Sequence, residues 1–149
     1  MIDHVKDPKE AGHPPKTLKG MLDAKSDWKA SSTLIRDGLP SSFFSDLSVL
    51  VGLSPEKLGS LLDVSASRRR RWMKSGSLSL VESDYFYRQA VVLDAALGLF
   101  EGDQAAMRSW LASPALAFGQ KAPAEMLSTL VGLNLVESLI WQIEHGVST

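Results

Sequence analysis

The 149-residue chain contains no cysteine. That absence removes disulfides, thiolate metal sites and cysteine nucleophiles together, and it fits a reducing compartment. Histidine is nearly as scarce. His4, His13 and His145 lie far apart in sequence, which leaves no two-histidine helix motif for a metal and no histidine-centred acid–base cluster. A glycine-rich phosphate loop and a nucleophile elbow are missing too. Glu144 and His145 are neighbours and splay apart on a helix, where a histidine near the C-terminus favours the helix dipole. The expectation is a non-enzyme with no catalytic residues, no cofactor and no metal. No apolar run approaches the length of a membrane span, and the start Met1-Ile2-Asp3-His4-Val5 lacks a basic-then-apolar signal pattern. A cytoplasmic protein without a membrane partner is expected. Alternating strand patterns are also absent, so the fold class reads as all-α.

Net charge is only −1, so no overall field draws the chain to nucleic acid, and any such contact must come from a local patch. The charge is unevenly placed. Residues 41–76 carry six cations, Lys57, Arg68, Arg69, Arg70, Arg71 and Lys74, against Asp46, Glu56 and Asp63. Residues 77–149 carry three cations against eight carboxylates. A basic middle precedes an acidic end.

Residues 1–40, with Pro8, Pro14 and Pro15, have the composition of an N-terminal arm, although Leu18, Met21, Leu22, Lys25 and Trp28 fall at the spacing of one short amphipathic helix. Beyond Pro40, helix follows helix. Phe43, Phe44, Leu47, Leu50 and Val51 form a stripe that Gly52 ends. Ser54 before Pro55 is an N-cap followed by the position where proline fits a helix best. Ser65 caps the next helix and Gly76 closes it. Ser79 and Glu82 form a capping box, opening a long helix that carries Phe86, Ala90, Leu93, Leu97 and Phe100. Asp103 caps a helix through Met107, Trp110 and Leu111, all expected in the core. Pro123 starts another, and a last helix presents Leu133, Val136, Leu139, Ile140 and Ile143 before Gly146. These breaks divide the chain into an arm (1–40), a helix-turn-helix bundle (41–100) and a small helical domain (101–149).

Two short helices separated by Asp63, Val64 and Ser65 have the length and turn of a helix-turn-helix, in which the second helix enters the major groove. At about 100 degrees per residue, Ser67, Arg70, Arg71 and Lys74 share one face, with Arg68 at its flank. These five are the candidate DNA-binding residues, because arginine bridges guanine acceptors and both cations hold phosphate. Trp72, Met73 and Arg69 take the opposite face, placing Trp72 and Met73 in the core and leaving Arg69 a charge that its stem or a carboxylate must accommodate. A basic run on a helix is otherwise a solvated face.

The C-terminal residues are more distinctive. Ala106-Met107-Arg108-Ser109-Trp110-Leu111, then Pro114 to Gly119, then Ala122-Pro123-Ala124-Glu125-Met126-Leu127, and finally Gly132, Val136, Leu139, Ile143, Glu144 and Gly146-Val147 resemble the toxin-binding domain of Xre/MbcA/ParS-type antitoxins. Upstream, Leu62 to Ser65, the arginines before Ser75-Gly76, Leu78 and Glu82-Ser83 resemble that family's helix-turn-helix. Arg69 stands where the family's recognition helix is usually apolar. The resemblance implies a protein encoded beside a RES-domain toxin that attacks NAD, neutralising it by covering its active site and repressing its own operon through operator DNA. It also implies toxin-binding roles for Pro123, Glu125, Trp141, Glu144, His145, Gly146, Val147, Ser148 and Thr149. A homodimer is expected, because helix-turn-helix readers bind paired half-sites and the helix from Glu82 to Phe100 offers a long apolar stripe. The alternative function is a stand-alone helix-turn-helix transcription regulator whose C-terminal part dimerises or senses a ligand.

Overall fold

The computed structural model describes residues 17–146. Among them are eight α-helices: α1 (Leu18–Asp23), α2 (Trp28–Asp37), α3 (Ser42–Val51), α4 (Pro55–Leu62), α5 (Ala66–Ser75), α6 (Leu80–Leu99), α7 (Gln104–Ala112) and α8 (Leu130–Glu144). Two short 3-10 turns, Leu116–Phe118 and Pro123–Met126, join α7 to α8. No strand occurs among the described residues, only the isolated bridges Pro40–Ser77 and Ala115–Lys121. The all-α expectation holds.

Local chemistry sets the helix ends. The side chains of Ser54, Ser65 and Asp103 accept from the backbone N–H three residues on, and Ser79 with Glu82 completes both halves of its capping box. Gly52 and Gly76 stop α3 and α5 in the left-handed region. The open carbonyls at the end of α3 are met by α7, through Gln104 to Val49 and Leu50 and through Arg108 to Val51.

Helix α6 is the axis of the molecule. Phe86, Gln89, Ala90, Val92, Leu93, Ala96 and Leu97 are all buried on it, and α1, α2, α3, α7 and α8 pack around it. Its apolar stripe is therefore enclosed within the chain rather than offered to a second copy, which removes one of the two grounds for expecting a dimer. Gln89 sits buried at the centre and its amide donates to the carbonyls of Leu62 and Leu127 at 3.4 and 3.0 Å. One side chain thus links the end of α4 to the turn before α8. Arg88 makes a second link, pairing with Glu137 at 3.1 Å and donating to Asn134 at 2.7 Å.

The segment expected as an arm is part of this core from Leu18 onward. Leu18, Met21, Leu22, Ala30, Leu34 and Leu39 are buried, while the prolines at 8, 14 and 15 lie outside the described residues. Nor does a single helix run from Leu18 to Trp28. A turn at Ala24–Asp27 interrupts it, because Asp27 caps a new helix by accepting from Ala30 N–H, and Trp28 is left 69% exposed. The second helix was missed because Asp27, an ordinary cap residue, lies inside a spacing that looked continuous. At Gly38 (φ 90°) the chain passes so close to α6's leading segment that a Cβ would sit 2.5 Å from the carbonyl oxygen of Leu78. Leu39 then donates to Ser83 Oγ, and Leu78 to Leu39 O, both at 2.9 Å.

Candidate functional site

Helices α4 and α5, with Asp63, Val64 and Ser65 between them, have the order and turn length expected of a helix-turn-helix. The turn is tight because Asp63 adopts a left-handed φ of 58° and the Val64 side chain is buried beneath it. Val64 N–H returns to Gly59 O at 2.8 Å.

Trp72 is the buried residue of α5, packed on Phe44 with ring centroids 5.8 Å apart. Met73, expected beside it in the core, is instead 76% exposed. The bundle meets α5 along a narrow line, and one step of about 100 degrees past Trp72 turns the next side chain outward. Arg69 lies half-buried against α4, near Gly59, and its Nε has no hydrogen-bond partner.

The five candidate DNA-binding residues do not behave alike. Ser67, Arg70, Arg71 and Lys74 are exposed, with Arg70 donating to Ser67 Oγ at 3.4 Å. Arg68 and Arg71 both turn to Glu82 on α6, and Arg68 also lies over the Trp72 ring at 5.4 Å. The indole N–H of Trp72 donates to the same carboxylate oxygen at 3.1 Å. Glu82 was legible as a cap residue, but its second role was not. Eleven and fourteen residues separate it from the two arginines, and only the packing of α5 on α6 brings them together.

Burial pushes the Glu82 carboxyl up, but hydrogen bonds from Ser79, Trp72 and Arg68 outweigh this and hold it down at about 2, against 4.5 for an ordinary glutamate. A depressed carboxyl contributes stability that is complete above its unfolded value and disappears as pH falls towards its folded one. Unfolding titrations should therefore show a loss of stability between about pH 4.5 and pH 2 that is smaller in Glu82→Gln. An unchanged acid limb in that variant would mean that other carboxylates dominate.

At the other end, α8 buries Leu133, Val136, Leu139 and Ile140. Outside that stripe it carries Val131, 70% exposed, Leu135, 44%, and Trp141, 55%. Trp141 is stacked on His145, with ring centroids 4.1 Å apart, and His145 Nδ1 lies 2.8 Å from the Trp141 carbonyl oxygen. Glu144, His145 and Gly146 are exposed beside them. Ile143, read as part of the buried stripe, is partly exposed at the helix end. Glu125 is exposed and accepts from Ala122 N–H at 2.8 Å, whereas Pro123 is buried and starts the 3-10 turn. Pro123 therefore offers no surface to a partner in this conformation. Trp110 is half-buried against Phe100. Val147, Ser148 and Thr149 lie outside the described residues. Sequence reading missed Val131 and Leu135, although their four-residue spacing was a usable signal.

No group of three or more potential metal ligands occurs among the described residues, and no described helix is long and apolar enough to cross a membrane.

The described residues form an all-helical arrangement in which α5 carries a basic run and α8 carries exposed apolar side chains. Residues 95–146 match the family described as the antitoxin Xre/MbcA/ParS C-terminal toxin-binding domain. Proteins named Antitoxin Xre are similar over longer stretches. The one from Yersinia enterocolitica is 36% identical over 83 residues, 56% of each chain. That from Photorhabdus laumondii is 36% identical over 81 residues, 54% of this chain and 55% of its own. That from Pseudomonas putida is 27% identical over 114 residues, 76% of this chain and 70% of its own. The chain thus spans about half the length of the first two relatives it matches.

Proposed function

We propose that this chain is the antitoxin of a type II toxin–antitoxin pair. In this reading the unit around α8 binds a RES-domain toxin and covers its NAD-degrading active site, while α5 binds operator DNA and represses the operon. The observation that carries it is the set of exposed apolar side chains Val131, Leu135 and Trp141 on α8, inside the segment that matches the toxin-binding family. Large apolar side chains held outward on a rigid helix are what a protein interface uses as anchors. Two copies, each presenting α5 to one half-site, suit a paired operator.

The test is to co-express the chain with a RES-domain protein encoded beside it, then follow cellular NAD and co-purification. Leu135→Asp combined with Trp141→Ala is expected to weaken the complex by about 2 kcal/mol or more and to restore NAD loss, with operator binding unchanged. An intact complex in that double variant places the toxin contact elsewhere on the unit. If the wild-type chain binds DNA but never the toxin, the stand-alone regulator is the correct reading.

A further inference from the structure

Five cations line α5, yet the structure gives them three different fates. Arg69 is turned against α4. Arg68 and Arg71 converge on one oxygen of Glu82, and this carboxylate is largely shielded, with a side-chain exposure of 15%. Arg70 and Lys74 are exposed and, like Arg69, have no carboxylate partner within the described residues. The two oxygens of Glu82 divide the work. Oε1 accepts from Ser79 N–H at 3.2 Å and so belongs to the cap of α6. Oε2 receives three donors, from Arg68, Arg71 and the Trp72 indole. A carboxylate anchored by its own helix cap cannot swing away with the arginines it holds.

We infer that Glu82 is a positioning residue that withholds Arg68 and Arg71 from the DNA backbone, leaving Ser67, Arg70 and Lys74 as the face that reads the operator. The inference rests on the DNA-binding part of the proposed function. Its chemical sense is selectivity. Non-specific affinity comes from cations that neutralise phosphates whatever the sequence, and base readout comes from the few side chains aimed into the groove. Two guanidiniums held by an internal carboxylate contribute less to the first without changing the second. The same pairing also ties α5 to α6, so the reading helix is held at both its buried indole and its basic flank.

Glu82→Gln separates these roles, because a single amide oxygen can serve either the Ser79 N–H or the three donors, and the amide nitrogen repels whichever it faces. Binding to operator and to a random duplex of equal length is measured across a salt series for four full-length proteins: wild type, Glu82→Gln, Arg68→Ala with Arg71→Ala, and Arg70→Ala with Lys74→Ala. Release of two guanidiniums in Glu82→Gln should raise random-duplex affinity several-fold and steepen the salt slope by up to about 1.8, at about 0.9 per phosphate neutralised, so that preference for operator falls. Arg68→Ala with Arg71→Ala should leave the slope near the wild-type value, whereas Arg70→Ala with Lys74→Ala should flatten it. The inference is overturned if the Arg68 and Arg71 pair flattens the slope as much as the Arg70 and Lys74 pair, a result that does not depend on how well Glu82→Gln folds. It is equally overturned if folded Glu82→Gln binds random DNA no more tightly than wild type. Failure of the wild type to bind any duplex removes the DNA-binding reading itself, and the inference with it.

Discussion

Gly132→Ala should lower the unfolding free energy by about 3 kcal/mol. Gly132 is buried in the first turn of α8, and a Cβ there would stand 1.9 Å from the carbonyl oxygen of Met126 and 2.7 Å from its carbon. Both are backbone atoms, so no rotamer change makes room. The helix would have to lift off the preceding turn, and Gly132 N–H would lose its 2.9 Å bond to Thr129 Oγ1. Gly98, inside α6 with nothing near its missing Cβ, is the matched control. Alanine there should be neutral or stabilising by up to about 1 kcal/mol. Urea midpoints of the two variants check the pair, and equal midpoints would show that the turn before α8 yields easily.

Trp72→Ala should cost about 3 to 5 kcal/mol. The loss combines the ring packed on Phe44 with an indole N–H donated to Glu82. Because Trp72 is the residue of α5 that is buried, its removal detaches α5 from the bundle. On the proposed DNA-binding reading, operator affinity should therefore fall more than the folded fraction does. Denaturant titration and DNA titration at the same temperature separate the two effects. A near-wild-type midpoint would mean that the arginine pairs with Glu82 suffice to hold α5.

Most of the helix boundaries were legible because they depend on local chemistry. Ser54, Ser65, Ser79 and Asp103 cap helices by reaching three residues along the chain, and Gly52 and Gly76 end them by their own backbone conformation. Asp27 was passed over because one apolar spacing ran across it. The two short helices flanking Asp63, Val64 and Ser65, and the C-terminal residues that match a toxin-binding family model, could be read from short-range order as well. What stayed hidden depends on contacts between elements. Nothing near Glu82 in sequence announces that it collects Arg68 and Arg71, and nothing around Gln89 announces that it joins Leu62 to Leu127. Met73 shows the same limit from the other side. It stands about 100 degrees past buried Trp72, and only the width of the facing bundle decides that it is exposed. The stripe on α6 was legible, but whether it faces the same chain or a second one was not.

The buried Gln89 amide and the helices gathered around α6 have a consequence for amide hydrogen exchange. An opening that lifts α8 and its preceding turn from α6 removes Leu127 O from the Gln89 amide and exposes the bond by which that amide also holds Leu62 O at the end of α4. A partner that recognises only the closed form of α8 therefore slows exchange in α6 and at the end of α4, where it makes no contact. At one hundred times its dissociation constant such a partner contributes about 2.7 kcal/mol, and protection far from the binding face rises about a hundredfold wherever the opening is shared.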